Sequence, residues 1–152
     1  MASNERAKGE ADAGEARTGV TGGTNFVLFD FRALTAFDER KPHVVTLSDT
    51  GTAQLLLVMF RPGQSLPPQR LASEVSIQAL RGRLRLSVGS TESAESVTEL
   101  RAGRLAQVEA ETPYRLDAVS EAVALLCLTP SPGEGALGPD LRGPSGPLVT
   151  RA

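Results

Sequence analysis

Hydrophobic and polar positions alternate with a period of two through most of the middle of the chain. In the segment 74–80, Val75, Ile77 and Ala79 take one face while Ser76 and Gln78 take the other. In 83–88, Leu84, Leu86 and Val88 oppose Arg83, Arg85 and Ser87. Successive side chains of a strand point to opposite faces, so this pattern predicts antiparallel strands with one packed and one wet face. Further strands are predicted over 25–30 (NFVLFD), 42–48 (PHVVTLS), 54–61 (QLLLVMFR), 97–100 (VTEL), 104–110 (RLAQVEA), 113–119 (PYRLDAV) and 121–128 (EAVALLCL). Turns fall at Asp49-Thr50-Gly51, Pro62-Gly63, Arg81-Gly82 and Arg101-Ala102-Gly103. Phe31, Leu34 and Phe37, spaced three apart, predict one helical turn. Short strands about ten residues apart, punctuated by Gly and Pro, predict an all-β sandwich or barrel.

Both ends read as flexible tails. Residues 1–24 carry almost no large apolar side chain, and residues 129–152 alternate Pro and Gly so densely that neither a helix nor a central strand is expected. Such segments cannot bury enough apolar surface to offset the entropy of ordering them. An alternative for the second tail is an extended arm whose Leu137, Leu141 and Leu148 dock on a neighbour. One domain over 25–128 between two tails is the expected organisation.

Composition narrows the function classes. With 152 residues, the chain has room for one domain. Its formal charge of -2 speaks against a dominant electrostatic grip on nucleic acid. The longest apolar runs, 55–60 and 122–128, are far shorter than a bilayer span, and the charged N-terminus does not read as a secretory signal. No membrane and a cytoplasmic location are therefore expected. Nearly all basic charge is arginine, the only lysines being Lys8 and Lys41. A chain also rich in Ala, Gly and Leu is what a GC-rich bacterial genome produces, so the arginines by themselves point to no site. Alternation sends Arg83 and Arg85 to solvent. The lone Cys127, set in AVALLCL, reads as a small buried hydrophobe, and His43 as a partly exposed residue at a strand start. No nucleophile-and-base pair is legible.

Two glycine-framed segments carry a resemblance. Gly63 is followed by QSLPP, Gln69-Arg70-Leu71, ASE, Val75, SIQALR and Gly82. Gly103 is followed by RLAQV, Glu109, Ala110, Glu111, Thr112-Pro113, Tyr114, RLD and Ala118. The spacing resembles the two motifs of the cupin superfamily, G-x5-H-x-H-x3,4-E-x6-G and G-x5-P-x-G-x2-H-x3-N, and the likeness spans roughly residues 42–128. It implies a cupin-like antiparallel β-barrel, a jelly roll, commonly joined as a homodimer through its sheets.

In metal-binding cupins the motif histidines and glutamate hold one divalent ion. The matching positions here are Gln69, Leu71, Val75 and Tyr114. Leu and Val offer no donor, Gln a neutral carbonyl oxygen, and a phenol titrating near pH 10 is a poor ligand. No metal or other cofactor is therefore expected. Glu74, Gln78, Glu109, Glu111 and His43 are further donors, but alternation turns Glu74 away from Val75, and Glu109 and Glu111 stand at a turn.

Gln69, Leu71, Val75, Ile77 and Ala79 are expected to project inward from one side, with Tyr114 and Leu116 facing them. The pocket residues expected are Gln69, Leu71, Val75, Ile77, Tyr114 and Leu116. They could line a hollow for a small organic ligand, or fill the core with the Tyr114 hydroxyl bonded to Gln69. Three functions follow: a non-catalytic domain that binds a small ligand or mediates association, a cupin-type enzyme using Tyr114 or Glu74 as acid or base, or a scaffold whose tails contact a protein partner.

Overall fold

The computed structural model describes residues 19–89, 96–133, 137 and 149–150. Its contacts divide the chain into two units, residues 1–36 and 37–152.

In the first unit, β1 (Val20–Gly23) and β2 (Phe26–Phe29) form an antiparallel hairpin. The turn between them is made by Thr24 and Asn25, the latter with φ of 71°. Asn tolerates this left-handed conformation better than most residues. Asp30 then caps α1 (Phe31–Leu34), its carboxylate accepting from the backbone N–H groups of Arg32 at 3.1 Å and Ala33 at 3.4 Å. Two sequence expectations change here. Val20–Gly23, expected within a tail, is a strand, and NFVLFD pairs with that strand instead of joining a barrel sheet.

In the second unit the described strands form two sheets. The larger contains β3 (His43–Asp49), β4 (Gln54–Phe60), β6 (Glu74–Arg81), β9 (Leu105–Val108), β11 (Ala122–Thr129) and β12 (Val149–Thr150), in the order β12-β3-β4-β11-β6-β9. The smaller contains β5 (Ser65–Gln69), β7 (Arg83–Val88), β8 (Ser96–Arg101) and β10 (Tyr114–Ala118), in the order β5-β10-β7-β8. All pairings are antiparallel except β12 with β3, which is parallel. The fold is an all-β jelly roll.

Apolar residues from both sheets share one core, including Leu56, Val58 and Phe60 of β4, Ile77 of β6, Leu84 and Leu86 of β7, Leu116 of β10 and Leu126 of β11. The predicted alternation of β6 and β7 holds for the core positions: Val75, Ile77, Ala79, Leu84 and Leu86 are buried, while Gln78, Arg83 and Arg85 are exposed. Strand β5 is the element the sequence hides, because Pro67 and Pro68 lack the N–H of a ladder. It lies at the edge of its sheet, where that loss is tolerated. Gly82 joins β6 to β7 with φ of 77°, and a Cβ there would sit 1.9 Å from the Glu121 carbonyl oxygen. Only glycine fits both demands.

The chain beyond β11 also departs from a plain tail. Ser73 Oγ donates to the Pro130 carbonyl at 2.6 Å, the Ser131 N–H to that of Gly51 at 3.2 Å, and Gln54 Nε2 to that of Gly133 at 3.2 Å. Leu137 is buried in the core, and Val149–Thr150 pair with Ser48 and Asp49 of β3. Leu137 thus packs on its own domain. Residues 1–18, most of 134–152, Leu141 and Leu148 lie outside the described residues.

Candidate functional site

Cross-strand register brings the two motif segments together. In the β5–β10 pairing Tyr114 faces Gln69 and Leu116 faces Leu66, with a bulge between the two pairs. On its other side Tyr114 faces Val88, and Leu116 faces Leu86. Alternation along PYRLDA then buries Tyr114, Leu116 and Ala118 and exposes Arg115. Outside, Asp117 accepts from Arg115 Nη2 at 2.8 Å and Nε at 3.1 Å and from the Ser65 hydroxyl. Those hydrogen bonds, Arg115 first and Ser65 after it, hold its carboxyl below the usual Asp value despite partial burial.

The opposite wall is β6, with Val75 and Ile77 buried, and Leu71 is half-buried against the same core. Beside Leu71, the Glu111 N–H donates to the Leu71 carbonyl at 2.7 Å, tying the turn of the second motif to the loop of the first. Glu111 has φ of 63° where the cupin pattern has glycine. It is exposed, as are Glu74 and Glu109, so these carboxylates stand away from the interior. His43 opens β3 partly exposed, as its position predicts. Cys127 is only half-buried, because β11 turns it to the outer face between Leu55 and Ser76. Reading it as a buried hydrophobe is corrected by that register.

At the centre, one expected contact is replaced by another. Gln69 Nε2 donates to the Pro67 carbonyl at 2.9 Å and to the Leu137 carbonyl at 3.4 Å. The Tyr114 hydroxyl, on a residue only 3% exposed, has no hydrogen-bond partner among the described residues. The expected Tyr114–Gln69 bond is absent among the described residues, and the Gln69 amide N–H groups donate to two backbone carbonyls. Burial also raises the Tyr114 pKa well above the ordinary phenol value of about 10, so the hydroxyl remains a neutral donor across the physiological range. Leu137 is the functional candidate that alternation could not find, since it stands alone among Gly and Pro.

The donor set does not suit the divalent ion of metal-binding cupins. Leu71 and Val75 offer no donor atom, Gln69 offers only a neutral amide oxygen, and burial keeps Tyr114 protonated. Among the described residues no three His, Cys, Asp or Glu side chains gather in a group able to hold a metal.

Two facing antiparallel sheets make this unit a jelly-roll domain. No family model and no curated protein matches the sequence. Solved structures do. An RmlC-like cupin protein from Desulfovibrio desulfuricans is 21% identical, with a TM-score of 0.57 over 63% of this chain and 89% of that one. The protein TT1209 from Thermus thermophilus is also 21% identical, with a TM-score of 0.61 over 68% and 96%. An oxalate oxidase in complex with glycolate is 17% identical, with a TM-score of 0.56 over 63% of this chain and 55% of that one. The chain has the cupin fold. Among the described residues no helix is long and apolar enough to cross a membrane.

Proposed function

We propose that this protein is a non-catalytic, metal-free cupin-like domain that binds a small organic ligand between its sheets. The observation that carries the reading is the buried hydroxyl of Tyr114, a residue paired across strands with Gln69, left without a partner among the described residues. A buried hydroxyl without a partner costs about 1–3 kcal/mol, and a ligand accepting from it recovers that cost. Apolar walls with a few polar groups to orient a guest are the usual make-up of such a site. Glu74, Glu109 and Glu111 are exposed, and the half-buried Asp117 is taken up by Arg115 and Ser65 on the outer face, which favours binding over turnover. Cytoplasmic location and homodimer formation belong to the same proposal. Phe26 and Leu28, 54% and 58% exposed on the β1–β2 hairpin, offer an apolar face for self-association.

The test is thermal melting of the purified protein with Zn, Mn, Fe or Ni salts and, in parallel, with a panel of uncharged small organic molecules. Only a ligand that binds the folded state raises Tm, by about 2.7 kcal/mol of stability at a hundredfold excess over Kd. The expected outcome is no shift with any metal and a shift with at least one organic compound. A rise of several degrees with stoichiometric metal overturns the reading.

A further inference from the structure

We propose that the site takes an uncharged branched aliphatic carbonyl compound, such as an amide or ketone, and that Leu137 of the same chain occupies it when that ligand is absent. The inference rests on the small-molecule reading above and adds the ligand class and an internal competitor.

Leu137 supplies the first part of the argument. It comes from GEGALGPDL, a segment with almost no other large apolar residue, yet it is only 7% exposed and shares the core with Val75, Tyr114 and Leu116. Its carbonyl accepts from Gln69 Nε2 within the buried interior. The site therefore already receives a branched aliphatic side chain linked to a carbonyl. That is a chemical image of what it can hold.

The hold is imperfect in two respects. At 3.4 Å the Gln69–Leu137 contact is long for an N–H···O bond, whose usual range ends near about 3.2 Å. The Tyr114 hydroxyl meanwhile donates to nothing among the described residues. A carbonyl oxygen has two lone pairs. A free ligand, unlike a residue tethered by its backbone, can settle where both Gln69 Nε2 and Tyr114 Oη donate to it. One added hydrogen bond of ordinary strength corresponds to about a tenfold preference.

Charge selects the class further. The two donors are a neutral amide and a neutral phenol, and the nearest arginine of the first motif, Arg70, is exposed and paired with Glu111 at 3.6 Å. A carboxylate would bury its charge without a counter-ion, at high cost. An uncharged carbonyl carries no such penalty.

The probe is 3-methylbutanamide, with acetamide and 3-methylbutanoate as controls. It is titrated into the full-length protein and into full-length Leu137→Ala. Tyr114 is the only tyrosine and the chain has no tryptophan, so tyrosine emission reports this site directly. The expected result is that 3-methylbutanamide changes that emission and raises Tm in Leu137→Ala at a concentration about tenfold below that needed in the wild type. Each control should be at least tenfold weaker, and adding Tyr114→Phe should weaken the response of Tm about tenfold. Leu137→Val, which keeps most of the side-chain volume, repeats the comparison should Leu137→Ala not fold. Equal half-saturation in wild type and the folded Leu137 variant overturns the inference, as does no response in that variant. If another organic molecule binds the wild type at Tyr114 with an affinity indifferent to Leu137, this inference falls while the small-molecule reading stands. If no organic compound binds either protein, both fall.

Discussion

Replacing Tyr114 by Phe removes one oxygen atom from the interior and leaves the ring in place. The substitution should stabilise the free protein. In the native state the hydroxyl is buried with no partner among the described residues, whereas in the unfolded chain water satisfies it. Stranding such a group costs about 1–3 kcal/mol, so a gain of roughly 1–2 kcal/mol is expected at pH 7. For a domain of this size that is a rise in Tm of about 3–8 °C. Alkaline pH should widen the gap. Because burial raises the Tyr114 pKa, above about pH 10 the unfolded chain releases the phenolic proton while the native state keeps it. The native state then binds more protons, so wild-type stability falls as pH climbs from about 10 toward the folded pKa, by up to about 1.4 kcal/mol per pH unit. The Phe variant lacks this loss. Urea titrations at pH 7, 10 and 11 measure both effects, and absorbance at 295 nm follows the wild-type phenol. Native protein should form tyrosinate only as it unfolds. A variant less stable than wild type at pH 7, or a wild-type phenol titrating near 10 while folded, would refute the orphaned hydroxyl.

Two other substitutions probe the frame. Gly82→Ala should cost more than about 3 kcal/mol, because it combines a positive φ with a Cβ driven into the Glu121 carbonyl, whereas Gly51→Ala, with φ of 86° but open space around it, should cost only about 1 kcal/mol. Urea midpoints compare them, and equal losses would contradict the close approach at Gly82. Asp117→Asn should flatten the acid limb of stability. The lowered carboxyl pKa contributes stability that is present above the unfolded value of about 3.9 and lost as pH falls through the lower folded value. Thermal melts from pH 5 to pH 2 check this, and unchanged acid sensitivity would mean that Arg115 and Ser65 do not hold the charge.

Much of the site was legible because it is built on strands. Period-two alternation needs no tertiary information, so the inward direction of Val75, Ile77, Tyr114 and Leu116 follows from local covalent geometry. The paired positions of Gln69 and Tyr114 were reachable only through the motif spacing, since β5 announces itself as a turn. Its prolines contradict strand propensity, and only a place at a sheet edge reconciles them. The expected Tyr114–Gln69 bond shows a different limit. Register placed the two residues opposite each other, but a side-chain amide takes whichever acceptor the rest of the chain offers. Here that is the carbonyl of Pro67 and, from 68 positions away, that of Leu137.

By itself the sequence determined the strand class and the faces of the central strands, both properties of side-chain identity and spacing. Tertiary structure decided the rest. It made a hairpin of Val20–Gly23 and Phe26–Phe29, drew Leu137 out of a Pro- and Gly-rich segment into the core, and left the Tyr114 hydroxyl without a partner among the described residues. Burial and hydrogen-bond satisfaction depend on which distant segments meet, and no local pattern encodes that meeting.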